Sequence, residues 1–258
     1  MNLKVKVFGP VRSTCVARVL VCLEEVGAEY ELAHVHLPAG DHKGPAHLAR
    51  SPFGQVPAFQ DGDLILFESC AISRYVLRKG ASDLLRESSL AEAATVDAWL
   101  DAESHNFNKA MSAITFQCFS GPLKNTFFSC SSRSRSLPTF TKLLILFLPP
   151  SRTVRESASP AFVVPMFMGG TTDHKIIDEK LEKLKVALGV YEERLSRFKY
   201  LAGDFISLAD LSHCPMAHYL LASPCASVLD AYPRVKAWID GMMDRPSVKK
   251  VMELMDAS

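Results

Sequence analysis

The sequence predicts an α/β domain over residues 1–80, a four-stranded mixed sheet with helices, then a linker at 81–89 and an all-α domain over 90–258. Three observations carry that reading. Apolar residues alternate at the N-terminus and then recur at helical spacing. An Asp-Gly turn separates two short apolar runs near residue 60. From Leu90 onward almost every periodic stretch is helical.

In chain order, Leu3, Val5 and Val7 alternate with Lys4 and Lys6, which is a strand pattern. Val16, Val19, Leu20, Leu23 and Val26 follow at helical spacing, with Gly27 as the stop. Tyr30 to Leu37 reads as a second strand. VPAF and LILF flank Gln60-Asp61-Gly62-Asp63 and predict an antiparallel hairpin. A helix runs from Ser69 to Lys79 and ends at Gly80. Strand, helix, strand, loop or short helix, strand, strand, helix, with a right-handed crossover between the first two strands, is the thioredoxin-like order. Helical stretches follow at 90–118, 176–198, 207–222 and, in pieces, 232–255. Ser207-Leu208-Ala209-Asp210 has the form of a capping box, with Ile206 and Leu211 at staple positions, so Asp210 is assigned to folding rather than catalysis. Trp99 and Trp238 fall on helical faces as core residues.

The 258 residues are 48% apolar and 22% charged, ordinary for a soluble globular protein. A formal charge of +1 supplies no basic field that would recruit nucleic acid or an anionic membrane. The longest apolar run, Leu143 to Leu148, falls far short of the ~20 residues of a membrane span. Seven cysteines (15, 22, 70, 118, 130, 214 and 225) show no CxxC and no Cys/His pairing at zinc spacing, which reads as reduced thiols in the cytoplasm. His34, His36, His47, His105, His174, His213 and His218 show no metal-ligand spacing with carboxylates, so no metal is expected.

Residues 120–163 break the helical pattern. They hold nine serines and six Lys or Arg against the single acid Glu156. Pro122, Pro138, Pro149, Pro150 and Pro160 exclude a continuous helix. The stretch is expected to be an insertion, disordered in character and similar in composition to translated non-coding sequence.

Chemistry concentrates in the first eighty residues. Gly9-Pro10-Val11-Arg12-Ser13-Thr14 puts Ser13 where a strand gives way to a helix N-terminus, a place that favours anions. Taken alone, Ser13 or Thr14 reads first as an N-cap. Ser51-Pro52-Phe53-Gly54-Gln55-Val56-Pro57 and Phe67-Glu68-Ser69 are, in isolation, a loop and a second helix cap.

Together these segments resemble the plant phi-class glutathione transferases, through GPVRSTCVAR, GDHK, SPFGQVPAF and DGDLILFESCAI, then PMFMGG and YLAGDFISLADLSH to the C-terminus. The resemblance implies the architecture of that family and glutathione as co-substrate. It gives Ser13 the catalytic role, and sets His42 and Lys43 on the glycine carboxylate. Val56 would pair its backbone with the cysteinyl amide before a cis Pro57. Glu68 would meet the γ-glutamyl amine, Ser69 its carboxylate, and Gln55 would add a polar contact. Hydrophobic electrophiles would bind beside the sulfur, in a homodimer with Phe53 as a possible anchor, and glutathione-dependent peroxidase activity would be a second capacity. Cys15, two residues past Ser13, is read as a helix residue rather than the nucleophile of a thiol transferase. Cys70 stands where the family pattern has Arg, which would weaken glutathione binding. The alternatives are a non-catalytic carrier of apolar small molecules and a splice-defective form whose C-terminal half is impaired.

Overall fold

The computed structural model describes residues 4–119 and 173–258. The expected insertion at 120–163 and the PMFMGG run lie outside the described residues.

Strand β1 (Val5–Phe8) leads into helix α1 (Thr14–Glu25), and β2 (Tyr30–Ala33) returns parallel to β1. After two 3₁₀ turns and the single-turn helix α2 (Pro45–Leu48), β3 (Ala58–Asp61) and β4 (Leu64–Phe67) form the hairpin. The sheet order is β2-β1-β3-β4, with β1/β3 and β3/β4 antiparallel. Helix α3 (Ser69–Lys79) completes the unit. Gly62 takes φ +59° and opens the two-residue turn between Asp61 and Leu64. This is the thioredoxin-like order expected from the sequence.

One expectation is corrected: the second strand ends at Ala33 rather than Leu37. Its partner β1 stops at Phe8, and the last ladder bond is Gly9 N–H to Ala33 O. Beyond it Pro38 enters a 3₁₀ turn at Leu37–Ala39, where its missing N–H costs nothing.

Ser13 caps α1, and the helix buries Val16 through Leu23 without a break. Gly27, at φ +61°, ends it as a left-handed residue, with Ala28 N–H reaching back to Leu23 O. A helix buried all round needs cover on more than one side. Helix α1 packs on α3 and also on the helices Cys214–Ala222 and Pro246–Asp256 of the helical half, so it lies at the seam of the two halves.

That second half holds α4 (Leu90–Ala102) and α5 (Asn108–Phe119), joined by a π-helical turn at Glu103–Phe107. It continues with α6 (His174–Leu195), α7 (Leu208–Leu211), α8 (Cys214–Ala222), α9 (Pro233–Met243) and α10 (Pro246–Asp256). The π turn absorbs an extra residue and aims Glu103 inward, where it is fully buried. Sequence periodicity reads 90–118 as uninterrupted helix and does not reveal that turn. The capping box forms over α7. Asp210 accepts from Ser207 N–H and Oγ–H at 2.9 Å, from Leu201 N–H at 3.0 Å and from Trp238 Nε1–H at 3.1 Å. Among the described residues no helix is long and apolar enough to cross a membrane.

Candidate active site

The site is assembled where β1 turns into α1. Gly9 sits at φ +154°, and a Cβ there would meet Val16 Cγ2 at 2.6 Å and Val56 Cβ at 3.2 Å. The glycine therefore lets the start of α1 press against the loop that precedes β3. In that loop the Val56–Pro57 peptide is cis. Ser51, buried, accepts Gln55 N–H at 3.2 Å. Buried His47 donates from Nε2 to Gln55 O at 2.8 Å, so a histidine with no motif of its own fixes the backbone beside Val56.

Gln55, Val56, Pro57, Glu68 and Ser69 line one cavity of about 50 Å³, together with Cys15 and Ser51. Five of the eight sequence-predicted residues thus converge. Ser13 stands at the N-cap two residues before Cys15, and its Oγ accepts Val16 N–H at 3.4 Å. The cap and the anion site are not alternatives here. A hydroxyl that accepts from its helix keeps its own proton to donate outward.

His42 and Lys43 lie in a 3₁₀ turn against the same loop, outside the cavity lining. Gly54, at φ +59°, is within reach of His42 O, 2.7 Å from where its Cβ would be. Lys43 Nζ donates to Phe53 O at 3.0 Å. His42 Nδ1 is buried with no hydrogen-bond partner among the described residues. Burial, with help from Lys43 and His47, pushes the His42 imidazole below the usual histidine range, so it is a neutral donor or acceptor rather than a fixed cation.

Glu68 holds φ +71° and ψ 109°, a backbone region that costs a non-glycine residue of order 1–3 kcal/mol. The strain carries the chain from β4 straight into α3 and leaves the Glu68 carboxylate exposed at the cavity wall, beside the N-terminus of an eleven-residue helix.

Three further residues were given no role from the sequence. Arg18 of α1 donates from Nη1 to Ser69 Oγ at 3.1 Å and to Cys70 Sγ at 3.3 Å, and from Nη2 to Glu103 Oε1 at 2.8 Å. The Cys70 sulfur thus accepts from a guanidinium delivered from another helix. Burial pushes the Glu103 carboxyl up while Arg18 pulls it down, and Arg18 is held firmly charged. The 2.8 Å contact is that of an ion pair. Tyr219 of α8 donates from Oη to Arg12 O at 2.8 Å, so the helical half also grips the residue before Ser13. Only long-range packing brings these groups to the site.

A larger cavity, about 360 Å³, lies in the helical half among Phe198, Tyr200, Ile206, Trp238 and Met242, and contains none of the candidate residues. No group of three or more His, Cys, Asp or Glu among the described residues is arranged to hold a metal ion.

A thioredoxin-like sheet, a cis-proline loop and a capped helix N-terminus, sealed by a helical domain, define the architecture of the glutathione transferases. Residues 3–78 match the family model described as glutathione S-transferase, N-terminal domain, and 154–246 the corresponding C-terminal domain. The chain is 47% identical to the probable glutathione S-transferase GSTF1 of Oryza sativa subsp. japonica, over 97% of this chain and 96% of that one. It is 45% identical to glutathione S-transferase 1 of Zea mays, over 98% of each. Among solved structures, glutathione S-transferase I from mais in complex with an atrazine glutathione conjugate superposes with TM-score 0.78 at 44% identity, covering 99% of both chains. The chain belongs to the glutathione S-transferase family and, within it, to the plant phi class.

Proposed function

We propose that the chain conjugates glutathione to hydrophobic electrophiles, with the Ser13 hydroxyl stabilising the glutathione thiolate. The observation that carries this reading is the convergence of Gln55, Val56, cis-Pro57, Glu68 and Ser69 on one cavity beside the helix capped by Ser13.

A free thiol near pKa ~8.5 is only a few per cent ionised at neutral pH. A hydroxyl donating to a charged acceptor is worth ~1.5–3 kcal/mol, and each pKa unit requires ~1.4 kcal/mol. Ser13 can therefore lower the thiol by one to two units and bring the thiolate to about half population without a general base. The helix N-terminus adds to the same sign of field. The Val56 backbone would hold the cysteinyl amide, and Gln55 would add a polar contact. Glu68 would take the γ-glutamyl amine, and Ser69, its oxygen held by Arg18, would donate to the adjoining carboxylate. His42 and Lys43 would receive the glycine carboxylate, which supplies the partner that His42 Nδ1 lacks.

We divide the chain at 81–89, place it in the cytosol, and assign a homodimer in which Phe53, 67% exposed and edge-on to Phe67, anchors into the second subunit.

The deciding experiment compares wild type with Ser13→Ala in turnover of an aromatic halide. The expected loss in kcat/KM is roughly 10- to 100-fold, from the ~1.5–3 kcal/mol above. An unchanged rate would remove Ser13 from the mechanism, and binding of apolar ligands without turnover by wild type would favour a carrier instead.

A further inference from the structure

The peptide between Arg12 and Ser13 is held from both sides. Its N–H donates to Pro10 O at 3.0 Å and closes the turn that leads into α1. Its carbonyl, which points the opposite way across a planar trans bond, accepts Tyr219 Oη–H at 2.8 Å. Ser13 follows directly, and its own carbonyl takes Ala17 N–H at 2.8 Å. The serine side chain is held less firmly, by the 3.4 Å contact from Val16 N–H. The direction of the Ser13 hydroxyl is therefore set largely by the plane of the peptide before it. Tyr219 supports that plane from a fixed place. Helix α8 is buried from Cys214 to Ala217 and at Leu220, packs on α1, and is tied by His218 Nε2–H to Asp256 Oδ1 at 2.9 Å. Burial pushes the Tyr219 phenol up, with Arg12 pulling it down and Asp256 adding to the rise, so the hydroxyl keeps its proton through the neutral range.

We propose that Tyr219 is a positioning residue for Ser13: a hydroxyl from the helical domain fixes the Arg12–Ser13 peptide and so aims the serine at the glutathione sulfur. The inference rests on the reading of Ser13 as the donor to the thiolate. A hydrogen bond weakens steeply as its donor swings off line, so a small rotation of that peptide is felt at the sulfur. Tyr219 acts through the backbone and takes no part in bond making. Its loss does not strand the Arg12 carbonyl, because Arg12 is exposed and water donates in place of the phenol. What is lost is direction rather than satisfaction. Tyr219→Phe should therefore be nearly silent in thermal unfolding yet visible in the ionisation of bound glutathione.

The test uses the full-length protein with glutathione and the aromatic halide, and compares wild type, Tyr219→Phe, Ser13→Ala and the double variant. Thiolate formation is read from the ultraviolet absorbance of bound glutathione, and kcat/KM for the halide is measured at saturating glutathione. In Tyr219→Phe the pH of half ionisation should rise by roughly 0.5–1, the share of the serine effect that one neutral hydrogen bond can govern. At about pH 6 kcat/KM should then fall roughly three- to tenfold with KM for glutathione unchanged, and at about pH 9 it should match wild type. In the Ser13→Ala background the same substitution should change neither quantity. Arg12, Cys15 and Glu68 are present in every variant, so their titration cancels. A loss of rate equal at every pH, or one that persists in the Ser13→Ala background, would make Tyr219 a packing residue and overturn the proposal. So would an unaltered thiol in Tyr219→Phe where Ser13→Ala raises it. An unaltered thiol in Ser13→Ala would overturn the serine mechanism itself, and this inference with it.

Discussion

Arg18 and Glu103 meet at 2.8 Å with 5% and 0% of their side chains exposed, and the contact joins the first helix of the sheet domain to the π turn of the helical domain. The same guanidinium holds Ser69, so domain packing and the candidate cavity share one charged group. Removing one member of a buried pair leaves the other uncompensated and costs about 3–5 kcal/mol, whereas replacing both with apolar residues can be near neutral. Glu103→Leu should therefore destabilise by about that amount in urea unfolding, and the double variant Arg18→Met/Glu103→Leu should recover most of it. Simple addition of the two single costs would show that the pair is not coupled. Steady-state kinetics give a second readout: either single variant should raise KM for glutathione more than it lowers kcat.

Glu68 combines a proposed ligand contact with a strained backbone, and two substitutions separate them. Glu68→Gly relieves the positive φ, and after the ~0.5–1 kcal/mol that glycine loses in chain entropy it should gain roughly 1 kcal/mol of stability. Glu68→Gln keeps the strain and removes only the charge. Both should weaken glutathione binding in calorimetric titration, while only the glycine variant raises the thermal midpoint. A glycine variant no more stable than wild type would mean that the neighbouring structure, not the backbone, bears the cost.

Local chemistry made the order of elements along the first domain, the hairpin, α3 and the capping box legible in the sequence, because each element rests on residues a few positions apart. The Asp61-Gly62 pair announces its own turn, and Ser207 and Asp210 announce their own cap. The proposed glutathione residues were picked out as a set of motifs, since Ser13 alone reads as a cap before it reads as a catalyst. Arg18, Glu103 and Tyr219 were not readable, because each acts across the seam between domains and sits in an ordinary helical pattern. The extent of β2 also escaped prediction: its end is set by the four-residue length of its partner, which its own apolar pattern does not encode.

Asp210 receives Leu201 N–H, Ser207 N–H, Ser207 Oγ–H and Trp238 Nε1–H while fully buried. Removing that acceptor strands several donors at once, each costing about 1–3 kcal/mol. Asp210→Ala should lose at least about 3 kcal/mol in equilibrium unfolding. Asp210→Asn should lose nearly as much, because its amide nitrogen replaces an acceptor with a donor. If folding is the whole role, the fraction of Asp210→Asn that remains folded should keep the wild-type KM for glutathione. A selective rise in KM would instead tie Asp210 to the site.

His213 gives the pH dependence its sign. It is fully buried; Nδ1–H donates to Ala209 O at 2.8 Å, and Nε2 accepts Tyr191 Oη–H at 3.1 Å, a tautomer with no room for a second proton. Burial pushes its pKa down to about 3. The unfolded chain binds a proton near ~6.5, so between those values the unfolded state carries more protons and stability rises with pH. The stabilisation is complete above ~6.5 and is lost progressively as pH falls toward 3. Between pH 7 and pH 5 the histidine should cost about 2 kcal/mol. His213→Gln should be less stable than wild type at pH 7, since it cannot reproduce both bonds to Ala209 and Tyr191, but its loss of stability on going to pH 5 should be smaller by about that amount. Glu103 and Asp210 are present in both proteins, so their titration cancels in the comparison. Parallel pH profiles for the two proteins in urea unfolding would show that His213 is not the acid-sensitive group.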